Sequence, residues 1–122
     1  MDTKTLEREV TLLHERVCSA MGDPTRIMIL YLLSEGEMYV NDIAESLEQP
    51  QSTISRHLKI LRERGLVETE RQGTAVLYSL ADRRIIEALD LMRSILNDQV
   101  RAAAAITRNI PYSKTMEKEK MK

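Results

Sequence analysis

A mainly α-helical domain with one small β-hairpin is the fold class this 122-residue chain predicts. Three observations carry that reading. Apolar side chains recur at helical spacing in several segments that Gly, Pro and Asp separate. Between Val67 and Leu80 the pattern switches to the alternation of strands. Aromatic residues make up only 3% of the chain, all of them Tyr, while hydrophobic residues make up 43%, so the core has to be built from aliphatic and Met side chains, as small helical proteins do. The length suits a single domain, expected over residues 1–108, with a tail at 109–122.

The elements follow in order. Leu6, Val10, Leu13 and Val17 fall at i, i+4, i+7 and i+11, which predicts an amphipathic first helix ending near Met21-Gly22. Asp23 is a good cap and Pro24 a good first helical residue, so a second helix starts there. Ile27, Leu30, Tyr31 and Leu33 are its expected core residues up to Gly36. Met38-Tyr39-Val40 reads as a short strand, and Asn41 as the cap of a short helix with Ile43, Ala44 and Leu47 on one side. Glu48-Gln49-Pro50 breaks it, with Pro50 expected at the first position of the next helix. That helix carries Ile54, Leu58 and Leu61 as a core stripe and ends at Gly65, which suits a left-handed cap with Leu66 folding back. Val67 to Glu70, a turn at Arg71-Gln72-Gly73, and Ala75 to Leu80 form the hairpin. A last long helix starts near Asp82 with a broad stripe of Ile85, Ile86, Leu89, Met92, Ile95, Leu96 and Val100. From Asn109 the Lys, Glu and Met-rich end reads as a frayed tail.

A formal net charge of −1 does not suggest a nucleic-acid binder, but the distribution of charge does. Residues 35–49 carry Glu35, Glu37, Asp42, Glu45 and Glu48 with no Lys or Arg. Residues 51–65 carry Arg56, Lys59, Arg62 and Arg64 against Glu63 alone. A local basic footprint on a nearly neutral protein fits specific, moderately salt-sensitive DNA binding. No apolar run approaches the length of a membrane span, no signal-peptide pattern is present, and the single Cys18 cannot form an internal disulfide, so a cytoplasmic protein without membrane contact is expected.

The segment Gln51 to Leu61 places two chemistries on one helix. Opposite the apolar stripe stand Ser52, Ser55, Arg56 and Lys59, with Gln51 and Thr53 at the start. Hydroxyls and helix N-terminal amides reach phosphates, and Arg and Lys neutralise the backbone or fork onto guanine edges in the major groove. With the short helix before it, this is a helix-turn-helix whose second helix is the candidate recognition helix. The hairpin is then the wing, and Arg71, Gln72 and Thr74 are its candidate contacts to a minor groove or to flanking phosphates. His57 sits beside the apolar stripe, where a hydrogen-bonded, partly buried imidazole bracing the helix suits it better than base reading. Tyr78 is expected to pack, with its hydroxyl at the surface.

Ser52-Thr53-Ile54-Ser55-Arg56-His57-Leu58 followed by Leu61-Arg62-Glu63-Arg64-Gly65-Leu66-Val67 resembles the recognition helix of ArsR/SmtB-type winged-helix repressors. Met21-Gly22-Asp23-Pro24-Thr25-Arg26-Ile27-Met28-Ile29-Leu30 resembles that family's second signature, and the similar segments cover roughly residues 15 to 82. The resemblance implies a homodimer that packs first and last helices together and represses from a palindromic operator. The candidate interface is Leu6, Val10, Leu13 and Val17 with Ile85, Leu89, Met92, Ile95 and Leu96, and core packing within one chain is the alternative for both stripes. Members that sense soft metals commonly carry a Cys-x-Cys pair where this chain has Tyr39-Val40-Asn41. Zinc-type members place Asp and His on the last helix, where Asp82-Arg83-Arg84 is followed by no His. No metal or other cofactor is therefore expected, and the sequence leaves the effector open.

Two alternatives stay open. His14 and Cys18 are i, i+4, so Cys18 could be a redox-sensitive thiol or, across a dimer, part of a metal site, against the plainer reading of a small semi-buried Cys. A winged-helix interaction module that has lost DNA binding is the other. Catalysis is not expected: there is no Gly-rich phosphate loop, no spaced His/Asp/Glu set, and Ser19, Ser34 and Ser94 lie in helical patterns.

Overall fold

A computed structural model describes residues 2–107, so the tail expected at 109–122 lies outside the described residues. The chain divides into two compact units, one up to Ile86 and one from Glu87 on. In the first unit the elements run α1 (Thr3–Leu13), a π-helical turn (His14–Cys18), a 3₁₀ turn (Ala20–Gly22), α2 (Pro24–Ser34), β1 (Met38–Tyr39), α3 (Val40–Leu47), α4 (Gln51–Glu63), β2 (Val67–Gln72) and β3 (Ala75–Leu80). The last helix, α5 (Arg84–Thr107), begins here and makes up the described part of the second unit.

The core of the first unit is aliphatic, as the shortage of aromatics requires. Ile29, Leu30, Ile43, Ile54, Leu58 and Leu61 are fully buried, with Leu33, Leu66, Val67 and Ile86 close behind. The stripe read on α4 is thus the central wall of the core. Ile29 joins it although the periodicity of α2 had favoured its neighbours: an apolar run of Ile27-Met28-Ile29-Leu30 has no polar residue to mark a face. Ile86 is likewise buried within this unit, so it leaves the stripe assigned above to a partner.

Asp23 caps α2 as expected, its carboxylate accepting from the Thr25 amide at 2.8 Å, with Pro24 at the first position. That bond, helped by the Arg26 guanidinium nearby, holds the Asp23 carboxyl below its usual range. Asp82 does the same for α5, accepting from the Arg84 amide at 2.8 Å and from its guanidinium at 2.7 Å. These two interactions lower its pKa to about 2.

Three local expectations are corrected. Asn41 is not a cap: β1 pairs only Met38 with Tyr78 and Tyr39 with Leu77 of β3, the helix starts at once at Val40, and Tyr39 is the cap residue without a side-chain bond. Pro50 stands at the cap of α4 and not inside its first turn. Its fixed φ of −59° suits both places, but a ψ of 144° and a carbonyl that receives the Thr53 and Ile54 amides at 3.1 Å make it the cap. The hairpin turn is tighter than read: Gln72 pairs with Ala75, so only Gly73 and Thr74 form the loop, and Arg71 lies inside β2 opposite Val76. Gly73 has φ +64°, which suits the first central position of a type II′ turn.

Candidate nucleic-acid interface

Both helices of the helix-turn-helix end in the same device. After α4, the Leu66 amide bonds the Leu61 carbonyl at 2.9 Å and the Gly65 amide the Arg62 carbonyl at 3.0 Å, with Gly65 at φ +74°. After α3, Gln49 bonds Ala44 at 3.0 Å and Glu48 bonds Glu45 at 3.2 Å, with Glu48 itself left-handed at φ 54°. These are Schellman closures, which reverse the chain within two residues. The turn is tied to α2 by the Gln49 side-chain amide, which donates to Thr25 Oγ1 at 3.1 Å.

On α4 the structure separates the two chemistries as the spacing requires. Ile54, Leu58 and Leu61 face the core, Gln51, Ser52, Ser55, Arg56 and Lys59 are exposed, and Thr53 is half-buried. Neither α3 nor α4 has a side-chain bond at its cap, so the positive end of each helix dipole is left to whatever lies outside.

A groove of about 390 Å³ runs beside the start of α4. It is lined by Tyr39, Val40 and Asn41 at the start of α3, Gln51 and Ser55 of α4, and Thr74, Ala75, Val76 and Tyr78 of the wing, with no charged side chain among them. Alternation along the hairpin puts Val67, Thr69 and Arg71 on the face of Leu80, Tyr78 and Val76. Glu68, Glu70 and Gln72 take the opposite face. The candidate residues Gln51, Ser55 and Thr74 therefore meet at one groove, Arg71 lies on the strand face shared with Val76 and Tyr78, and Gln72 lies on the other. Tyr78 is half-buried, as a packing residue should be.

Sequence reading missed Arg26. Its guanidinium donates from Nε to the Ala20 carbonyl at 2.5 Å, from Nη2 to the Ser19 carbonyl at 3.4 Å, and from Nη1 to His57 Nδ1 at 3.1 Å. A lone cation in the apolar run Ile27 to Leu30 just after it was the available signal, since a charge there needs partners. The bracing role expected of His57 thus has its partner. Cys18 and His14 are exposed in the π turn, and no hydrogen bond joins them. Among the described residues no three His, Cys, Asp or Glu side chains stand close enough together to hold a metal ion, and no helix is long and apolar enough to cross a membrane.

The candidate interface residues on α1 are exposed at Leu6 (42%), Val10 (51%) and Leu13 (52%), while Val17, in the π turn, is half-buried. On α5, Met92 (66%), Ile95 (53%) and Leu96 (54%) are exposed, and Ile85 and Leu89 are half-buried.

Residues 23–69 match the model of the arsR family of bacterial regulatory proteins. The chain is 46% identical over 77 residues to an uncharacterized HTH-type transcriptional regulator of Methanocaldococcus jannaschii, a match spanning 62% of this chain and 86% of that protein. It is 37% identical over 100 residues to the arsenical resistance operon repressor of Escherichia coli, spanning 81% and 86%. With the regulator NmtR of Mycobacterium tuberculosis it shares 41% over 71 residues, spanning 58% of this chain and 59% of that protein. Among solved structures, the homodimeric winged helix-turn-helix DNA-binding domain from Mycobacterium bovis superposes with TM-score 0.68 at 31% identity, covering 78% of this chain and 90% of that one. NolR from Sinorhizobium fredii superposes with TM-score 0.67 at 30% identity, covering 78% and 93%.

Proposed function

Because the chain belongs to the arsR family of bacterial regulatory proteins, whose members matched above are transcription regulators and not enzymes, we propose that it is a homodimeric repressor that reads a palindromic operator with the exposed face of α4. The observation that carries this reading is the separation on α4 of three fully buried aliphatic side chains from Ser52, Ser55, Arg56 and Lys59 in solvent. Hydroxyls and open amides at the helix start set the register on phosphates, and Arg56 reads a base edge. Lys59 and Arg71 supply backbone charge, and the wing contributes Thr74 beside Gln51, Thr53 and Ser55, with Gln72 on its outer face. Such a reader works in the cytoplasm, where the DNA is.

Dimerisation follows from the apolar surface left on α1 and α5, which in a second copy would meet its own counterpart. Two recognition helices then face successive major grooves, roughly 34 Å apart. The proposed repressor does not answer to soft metals: Tyr39 and Asn41 offer a phenol and a carboxamide where a thiolate pair would be needed, and oxygen donors select hard cations. Fluorescence anisotropy with fragments of the source genome tests the reading. Saturable, sequence-dependent binding supports it. Absence of binding at low salt would leave a winged-helix interaction module in its place.

A further inference from the structure

We propose that Arg26 is a positioning residue for sequence reading: through His57 it sets the rotation of α4 about its own axis while touching no DNA. The inference rests on the DNA-reading role given to α4. Ile54, Leu58 and Leu61 hold α4 against the core, but apolar burial is non-directional, so it fixes the depth of a helix better than its roll. Directed hydrogen bonds supply what burial does not.

Two arginines make such bonds across to the segment behind α1. Arg64, at the end of α4, donates from Nη1 to the Glu15 carbonyl inside the π turn. Arg26 joins the other side. Its Nε and Nη2 hold the carbonyls of Ala20 and Ser19, just after that turn, and Nη1 reaches His57 Nδ1 in the second turn of α4. A guanidinium has donors only, so Nδ1 of His57 has to accept, and the imidazole must carry its proton on Nε2. Arg26 and His57 are both half-buried, which shields the bond from competing water. Lysine has one point of attachment in place of a rigid fork and could not hold the carbonyls and the imidazole at once. His57 adjoins Arg56 in the chain, so a roll of the helix at His57 directly moves the proposed base-reading side chain.

The test uses the full chain with the fragment that anisotropy selects as operator, and random-sequence DNA as reference. Arg26→Met and His57→Leu should each lower the ratio of operator to random affinity about tenfold or more, the size of one lost base contact. The salt slope should not change, because no phosphate contact is removed. The double variant should lose no more than either single one, since both remove the same bond. His57→Asn, whose Oδ1 can stand in for Nδ1, should recover most of the ratio. Nitrogen NMR of the wild-type imidazole should show the Nε2–H tautomer, shifting in Arg26→Met towards the mixture of a free imidazole. If Arg26→Met fails to fold, Arg26→Lys and the wild-type tautomer carry the test.

An unchanged ratio in folded Arg26→Met, a salt slope reduced by about one, multiplied losses in the double variant, or a wild-type Nδ1–H tautomer would each overturn the proposal. Wild-type binding with no sequence preference would overturn it together with the reading of α4. The tautomer would then still show whether the clamp exists.

Discussion

At the scale of single residues, charge and hydrogen bonding divide the work on α4. Arg56 stands exposed at the centre of the face, and Arg56→Ala should cost about 1 to 3 kcal/mol in operator binding and relax the preference at one base pair. Lys59→Ala and Arg71→Ala should instead weaken binding to all sequences and reduce the salt slope by about one each, measured by titrations across a salt series. Selective loss at one position on changing Lys59 would reverse the assignment. Asp82 gives a pH test. Its folded pKa of about 2 lies below the usual 3.8, so its contribution to stability is full above the usual value and is lost as pH falls towards 2. Asp82→Asn keeps a capping side chain but loses the charge, and should melt below wild type at neutral pH, with the gap closing in acid. These residues were legible because exposed cations beside a stripe, and Asp before a helix, act locally. Arg26 was not, because its partners lie 6, 7 and 31 residues away and only the folded chain brings them to it.

Elements were legible wherever one local signal dominated. The stripe of α4 and the cap at Gly65 both stand as the pattern required, whereas the starts of α3 and α4 moved by a residue or two because pairing with β3 and the ψ of Pro50 decide them. The two Schellman closures offer a paired experiment. Gly65 sits at φ +74° with no atom within 4 Å of where a Cβ would be, so Gly65→Ala meets no clash and should lose about 1 kcal/mol from backbone strain alone. Glu48 already bears that strain, and Glu48→Gly should gain about 0.5 kcal/mol once the extra flexibility of glycine in the unfolded chain is subtracted. Urea denaturation measures both, and a loss on Glu48→Gly would show that its side chain holds the turn.

For the molecule as a whole, the amount of apolar surface on α1 and α5 is the feature that composition and periodicity announced but could not place. Pattern alone does not say whether a stripe meets its own chain or another. The structure buries Ile86 at home and leaves Met92, Ile95 and Leu96 in solvent. Met92→Asp should put a charge into the proposed seam, at a cost of several kcal/mol, and yield monomers by sedimentation. Operator affinity should fall with it, because one protomer covers one half-site. A wild-type monomer that binds a single half-site tightly would end the dimeric reading. Stoichiometric zinc, cadmium and arsenite should leave the DNA complex intact, and calorimetry showing tight zinc binding with release of DNA would contradict that.

The π turn at His14–Cys18 makes chain length itself a variable. Its closing bond, from the Ser19 amide to the His14 carbonyl at 2.9 Å, spans five residues where an α-helix spans four. The turn thus holds one residue more than a regular helix needs. Deleting one would restore regular winding and leave Leu6, Val10 and Leu13 close to their present heading, because the wider turn absorbs the extra residue locally. The amino-terminal helix can therefore lose one codon at this turn and keep its apolar face, whereas the same loss within Thr3–Leu13 would turn the residues before it by about 100°.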